Sequence, residues 1–253
     1  MKILLNGILG HMGREVKKLC DEGYRGVSGV LGVDPMAKEG DCAATSFDKV
    51  ESPADYDCIV DFSHHCATVG MLEFAKKHKL GVVVATTGHT PEEIEAIKDA
   101  AKYIPVFYSG NMSLGIALLI ELAKITALAM PEAEIEIIES HHNRKLDSPS
   151  GTALMLANAI CEVKPSSYAK LGRSGQGKRT PEEIGIHSVR MGNVVGIHEV
   201  IVGTKNQTIT LKHEAHDRAL FAEGGLCAAA FLKDRAAGLY DMSSLIDEQS
   251  RGL

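Results

Sequence analysis

The 253-residue chain is 45% hydrophobic and 24% charged with a formal net charge of -6, long enough for one to two domains with a real core and too apolar for wholesale disorder. Its 27 basic against 33 acidic residues, absent Trp and 5% aromatic content leave neither a basic face for phosphates nor stacking platforms for bases, so nucleic acid is not an expected partner. Six scattered cysteines without a C-x-x-C suit reduced thiols in a cytoplasmic protein, and polar interruptions at Asn6, Gly7, Glu121 and Lys124 argue against a signal peptide or a membrane span.

From residue 1 to about 110, short β-branched apolar runs alternate with segments of helical period, the pattern of a parallel α/β sheet. Strands are expected at Lys2 to Asn6, Val30 to Asp34, Cys58 to Ser63, Val82 to Thr86 and Val106 to Tyr108. Met12, Val16, Leu19 and Cys20 recur at helical spacing after the first strand. Thr90, Pro91 and Glu93 together spell a capping box with proline at the first helical position, so a helix starts there. After about residue 112 the pattern changes to a helix from Ser113, a strand Ala133 to Ile138, a loop, and a helix from about Thr152 to Val163. Ile184 to Leu211 reads as a mostly antiparallel sheet with turns at Gly192-Asn193 and Lys205-Asn206, followed by a last helix from about Arg218 to Ala237. Gly224-Gly225 within that helix costs ~1 kcal/mol per glycine unless close packing needs it.

Gly7, Gly10 and Gly13 form G-x-x-G-x-x-G between the first strand and the first helix. Glycines there permit a tight turn and close approach to a pyrophosphate, whose charge is met by free N–H groups of the helix N-terminus. Asp34, 21 residues after Gly13, is placed to accept hydrogen bonds from adenosine ribose hydroxyls. A nicotinamide dinucleotide is therefore the leading ligand. Gly172 to Lys178 spells the start of a phosphate loop, but Arg179 takes the Ser/Thr position and no strand is expected before it, so a mobile loop is expected instead. No tyrosine is followed four residues later by lysine, which sets aside a Tyr-x-x-x-Lys dehydrogenase.

Glu139 to Thr152 is the richest stretch, with His141, His142 and Lys145 in a loop that opens a helix at Ser150-Gly151-Thr152. Two imidazoles, an ammonium and a helix N-terminus make a donor-rich pocket for an acidic substrate. Zinc is the weaker alternative, because adjacent residues in an extended segment point to opposite sides and no third ligand stands at metal spacing. His64, His65 and Cys66 fall where a Rossmann strand turns into its helix, a cofactor-cleft loop rather than a metal site.

The run EIIESHHNRKLDSPSGTAL, preceded in order by NGILGHMGREV, VDFSHH, ATTGHT and SGNMSLGIALL, resembles the bacterial dihydrodipicolinate reductases, also called 4-hydroxy-tetrahydrodipicolinate reductases. The H-H-x-x-K-x-D-x-P-S-G-T segment is its specific part, and the resemblance reaches the closing GLYDMSSLID. It implies an α/β fold in which an N-terminal Rossmann dinucleotide-binding domain, 1–112 with 219–253, carries an inserted α+β substrate-binding and oligomerisation domain, 113–218. The implied activity is NAD(P)H-dependent reduction of 4-hydroxy-tetrahydrodipicolinate, a small dicarboxylate, in the diaminopimelate and lysine pathway, by a homotetramer without a metal. The resemblance makes His141 a proton donor or acceptor and Lys145 a proton donor, with His142, Gly151 and Thr152 on the substrate. It places Gly7, Ile8, Leu9, Gly10, His11, Met12, Gly13, Asp34, Ala85, Thr86, Thr87, Ser109, Gly110, Asn111 and Met112 around NADH or NADPH. Two departures stand out: Ala85 where the family has glycine, and Pro35 after Asp34 where many relatives place a basic residue.

A non-enzymatic dinucleotide sensor would share the first domain but needs neither His141 nor Lys145. Another dehydrogenase, such as one acting on aspartate, would leave the H-H-x-x-K segment unexplained.

Overall fold

The computed structural model describes residues 1–250. The chain divides into two compact units, Met1–Leu114 together with the segment from Ala219 onward, and Gly115–Arg218.

The first unit alternates β1 (Lys2–Asn6), α1 (His11–Asp21), β2 (Gly29–Val33), β3 (Ala43–Ala44), β4 (Cys58–Asp61), α2 (Thr68–His78), β5 (Gly81–Val84), α3 (Pro91–Ala100) and β6 (Pro105–Tyr108). β1, β4 and β5 bury nearly every residue, which is why they are continuous apolar runs rather than alternating ones. Helix α3 starts as its sequence dictates: the Thr90 hydroxyl accepts from the Glu93 N–H while the Glu93 carboxylate accepts from the Thr90 N–H. α1 buries Gly13, Val16 and Cys20, with Met12 and Leu19 half-buried beside them.

The chain leaves through α4 (Leu114–Ala129) and builds β7 (Glu134–His141), α5 (Gly151–Val163), β8 (Tyr168–Leu171), β9 (Glu183–Arg190), β10 (Gly196–Gly203) and β11 (Thr208–Ala215). It then returns through α6 (Ala219–Leu232), β12 (Gly238–Tyr240) and α7 (Met242–Ser250). The first sheet is wholly parallel in the order β12-β6-β5-β4-β1-β2-β3. Strand order reverses between β1 and β4, so the switch point of a Rossmann sheet lies at the ends of these two strands. The last helix differs from expectation: α6 stops at Leu232, and β12 pairs with β6 before α7 begins. Both glycines of α6 serve close packing. A Cβ on Gly224 would lie 1.7 Å from the Met112 carbonyl oxygen, and one on Gly225 would lie 2.8 Å from the Phe62 ring.

The second sheet, in the order β11-β10-β7-β9-β8, is mixed rather than mostly antiparallel. β10 pairs antiparallel with β7 and β11, but β7·β9 and β8·β9 are parallel. The crossover through α5 causes this, because a helical connection returns the chain in the same direction. β7 runs three residues beyond the expected Ile138, since β9 and β10 continue to pair with it and satisfy its backbone. A strand, β8, does precede Gly172, contrary to expectation. The segment after it leads to β9 without a helix, and Arg179 is drawn to the Ile135 and Glu183 carbonyls, so no phosphate loop forms. Ile116, Leu119 and Ala123 of α4 join Leu156 and Ile160 of α5 over Ile135, Ile137, Val200 and Val202. No helix among the described residues is long and apolar enough to cross a membrane.

Candidate active site

In the first unit the predicted dinucleotide residues stand at the C-terminal ends of parallel strands: Gly7 after β1, Asp34 after β2, Ala85 after β5 and Ser109 after β6. Gly7 adopts φ +83°, and a side chain there would meet the Phe62 carbonyl oxygen at 2.8 Å. Gly10 is the N-cap of α1, and its N–H donates to the Gly7 carbonyl. Gly13 is the tightest position, for its Cβ would lie 2.1 Å from the Gly7 oxygen and 2.7 Å from Ile8. The loop is thus built for glycine, with the N-terminus of α1 at the turn.

Asp34 is 8% exposed, and its carboxylate accepts from the Leu9 N–H at 3.1 Å and the Met36 N–H at 3.0 Å. It therefore ties the glycine loop to the second strand while its remaining lone pairs face a cavity of about 1040 Å³ lined by Gly7, Gly10, Asp34, Pro35, Ser63 and His64. This lining fits the adenosine half of a dinucleotide. Lys77 also lines the cavity, whereas Lys38 does not. Ile8 and Met112 are buried, so their side chains belong to the core rather than to the cavity wall. Thr86 is also buried, its hydroxyl accepting from the Ser63 N–H. Ser109 and Asn111 lock their loop: the Ser109 hydroxyl donates to the Asn111 carbonyl, and the Asn111 side chain accepts from the Ser113 N–H.

His64, expected in a cleft loop, lines this cavity together with Phe62 and Ser63, which escaped residue-level reasoning although VDFSHH marks them. Beneath them Asp61 is fully buried, accepting from Asn6 and Ser63, and burial pushes its carboxyl up from the usual range. Among the described residues, only His64, His65 and Cys66 bring three metal-ligating atoms together, within 4.8 Å. His65 Nδ1 is held by Glu93 at 2.9 Å, and His64 Nδ1 accepts from the Cys66 N–H.

The second unit builds its polar cluster by strand alternation. β7 directs Ile135, Ile137, Glu139 and His141 to the helix-covered face. His141 therefore ends a strand rather than lying in a loop, and His142 follows with its N–H on the Val194 carbonyl. Register sets Ser188 beside Glu139 and Arg190 beside His141 on β9, with His198 of β10 opposite Glu139. Glu139 is fully buried. Its carboxylate accepts from Arg190 at 2.7 and 2.9 Å, from the Ser150 N–H at 3.1 Å, and from His141 Nδ1 at 2.5 Å. Burial opposes its charge, yet the donors Arg190, Ser188, His141 and Ser150 overcome this and hold its pKa at about 2.

Burial lowers the His141 pKa, Glu139 resists, and the charges of Lys145 and Arg190 lower it further. His198 packs edge-on against His141 with centroids 5.2 Å apart, and burial followed by His141 brings its pKa down to about 4. The His198 ring is therefore neutral at pH 7, and the His141 ring is shifted toward its neutral form. Lys145 pairs with Asp147 at 2.9 Å. Ser150 caps α5, its hydroxyl accepting from the Ala153 N–H, and a side chain on Gly151 would meet open space. The helix N-terminus is therefore open to an anion beside two imidazoles and an ammonium. Among the described residues, His142 Nδ1 has no hydrogen-bond partner. Sequence reasoning missed Glu139, Arg190 and His198, although a Glu at a position of β7 that alternation assigns to the apolar face was a visible signal.

Comparison with known proteins gives the family of the chain. The dihydrodipicolinate reductase N-terminus model matches residues 1–112 and the C-terminus model residues 115–246. A 4-hydroxy-tetrahydrodipicolinate reductase of Caldanaerobacter subterraneus is 42% identical over 250 residues, 97% of this chain and 98% of that one. The same-named protein of Clostridium novyi is 38% identical, covering 98% and 99% of the two chains. The dipicolinate-bound dihydrodipicolinate reductase of Paenisporosarcina sp. TG-14 superposes with TM-score 0.78 at 22% identity over 95% of this chain and 97% of that one. An aspartate dehydrogenase of Thermotoga maritima reaches TM-score 0.53 at 13% identity over 93% and 98%, a likeness of fold alone. Matched by both models and by relatives along its length, the chain belongs to the dihydrodipicolinate reductase family.

Proposed function

We propose that the chain reduces 4-hydroxy-tetrahydrodipicolinate to tetrahydrodipicolinate with NADH or NADPH, the second unit binding the substrate and supplying its proton. The observation that carries this division of labour is the His141 and Lys145 cluster at the N-terminus of α5. The dinucleotide, held by the Gly7–Gly13 turn, Asp34 and the loops at Ala85–Thr87 and Ser109–Met112, supplies the hydride when bound. Loss of the 4-hydroxyl with a ring proton, as water, leaves the conjugated ring that takes the hydride, and the carbon beside the one reduced then needs a proton. Lys145 Nζ delivers it as the ammonium of the cluster, while burial and the charges of Lys145 and Arg190 lower the His141 pKa and favour its neutral, accepting ring. The first N–H groups of α5 at Gly151 and Thr152, with His142, hold the carboxylates. Following NADH and NADPH oxidation with freshly made 4-hydroxy-tetrahydrodipicolinate tests the reaction, and no turnover with either cofactor would overturn it. A dinucleotide sensor would have no use for a proton donor set on a buried ion pair.

The same assay reads cofactor preference. Asp34 accepts from ribose hydroxyls but repels a 2'-phosphate, and Pro35 adds no compensating charge. Both cofactors are expected to work, with NADH favoured in kcat/KM by no more than ~100-fold, the worth of one charged contact. Strict NADPH dependence would show that a cation reaches the phosphate.

Six free thiols support a cytoplasmic location. It assembles as a homotetramer through the second sheet. Val200 and Val202 lie in the core of the unit beneath α4 and α5. The opposite face offers Ile138, Val189, Ile197 and Ile201, all incompletely covered within one chain. Light scattering at micromolar concentration should give the mass of four chains, and a monomer would refute the assembly.

A further inference from the structure

We infer that Glu139 and Arg190 are a positioning pair that fixes His141 as its Nδ1–H tautomer and ties it to the segment carrying Lys145. The inference rests on the proposed function for its catalytic consequence only; the geometry stands by itself.

A carboxylate with no solvent exposure is costly unless its lone pairs are met. Glu139 meets that cost with an unusual donor set: both terminal nitrogens of Arg190, the Ser150 N–H and His141 Nδ1. Ionised, it accepts only, so the proton in the 2.5 Å contact belongs to His141 Nδ1. Nε2 is then the acceptor, at the ring edge beside Gly196, where a Cβ would come within 3.2 Å of it. Two residues apart on one face of a strand, Glu139 and His141 are aligned by the pleat itself.

Arg190 has a second task. Its Nη2 also donates to the Asp147 carbonyl at 2.7 Å, and Asp147 is the partner of Lys145. One guanidinium thus holds the carboxylate that orients His141 and the segment that places Lys145. The charged and titratable groups facing His141 are Glu139 from its own strand, Arg190 from β9, His198 from β10 and Lys145 from the following segment. Glu139 alone among them favours the protonated ring.

Nitrogen-15 NMR of imidazole-labelled protein across the imidazole titration range reads the tautomer without requiring turnover. In the unsubstituted protein the neutral His141 should carry its proton on Nδ1, and a proton on Nε2 would overturn the assignment. Glu139→Gln should mix the tautomers and move the His141 titration about one unit or more to lower pH, because it removes the facing negative charge. It should reduce kcat by ~10-fold or more with KM for NADH unchanged. An unshifted titration with kcat within about 2-fold of the parent would also overturn it. Arg190→Lys, which keeps the charge but loses the two-pronged grip, should give an intermediate shift, and supplies the same measurement should Glu139→Gln fail to fold. Inactivity of the unsubstituted protein would instead count against the proposed function and leave the tautomer result standing.

Discussion

Lys145→Ala and His141→Ala should each lower kcat by ~100-fold or more while changing the dissociation constant for NADH by less than about 3-fold. Lys145 Nζ is the ammonium of the cluster, paired among the described residues with the half-exposed Asp147, and its removal leaves no ammonium beside His141. Loss of the His141 ring leaves the Glu139 carboxylate facing a void at the point where a proton must be accepted, so this variant should lose stability as well as turnover. The glycine turn and Asp34 belong to the other unit, which is why NADH binding should survive. Steady-state kinetics with a fluorescence titration for NADH separate the two effects. Near-normal turnover of either variant would remove that residue from proton transfer.

Gly13→Ala should raise the dissociation constant for NADH by ~10-fold or more and cost about 1 to 3 kcal/mol of stability. The new Cβ would overlap the Gly7 carbonyl oxygen at 2.1 Å and the Ile8 backbone at 2.7 Å, all backbone atoms that cannot swing aside. Relief requires α1 to back away from the turn, and with it the N–H groups that meet the pyrophosphate. Gly10→Ala is the graded control, since its Cβ lies 3.2 Å from the same oxygen and needs a shift of only a few tenths of an ångström. Fluorescence titration should rank Gly13→Ala well below Gly10→Ala. An unchanged affinity in folded Gly13→Ala would show that the dinucleotide does not use this turn.

The sequence by itself determined what depends on neighbours along the chain. Continuous apolar runs identify buried parallel strands, Thr90-Pro91 with Glu93 starts α3 where it begins, and the spacing of Gly7, Gly10 and Gly13 marks a turn whose φ and close approaches need glycine. The H-H-x-x-K-x-D-x-P-S-G-T segment pointed to proton chemistry because His141, Lys145 and the capped start of α5 lie within twelve residues. Tertiary structure decided what depends on strand partners. Arg190 meets Glu139 across 51 residues of chain, and His198 reaches Ser150 across 48, because β9 and β10 flank β7 in one particular register. A shift of that register by one residue would turn Arg190 and His198 to the opposite face of the sheet. The mixed direction of the second sheet, the extension of β7 to His141 and the pairing of β12 with β6 arise in the same way, for backbone hydrogen bonds between distant strands override local propensity. Gly224 and Gly225 look like helix defects along the chain and become necessary only when α6 lies against Met112 and Phe62.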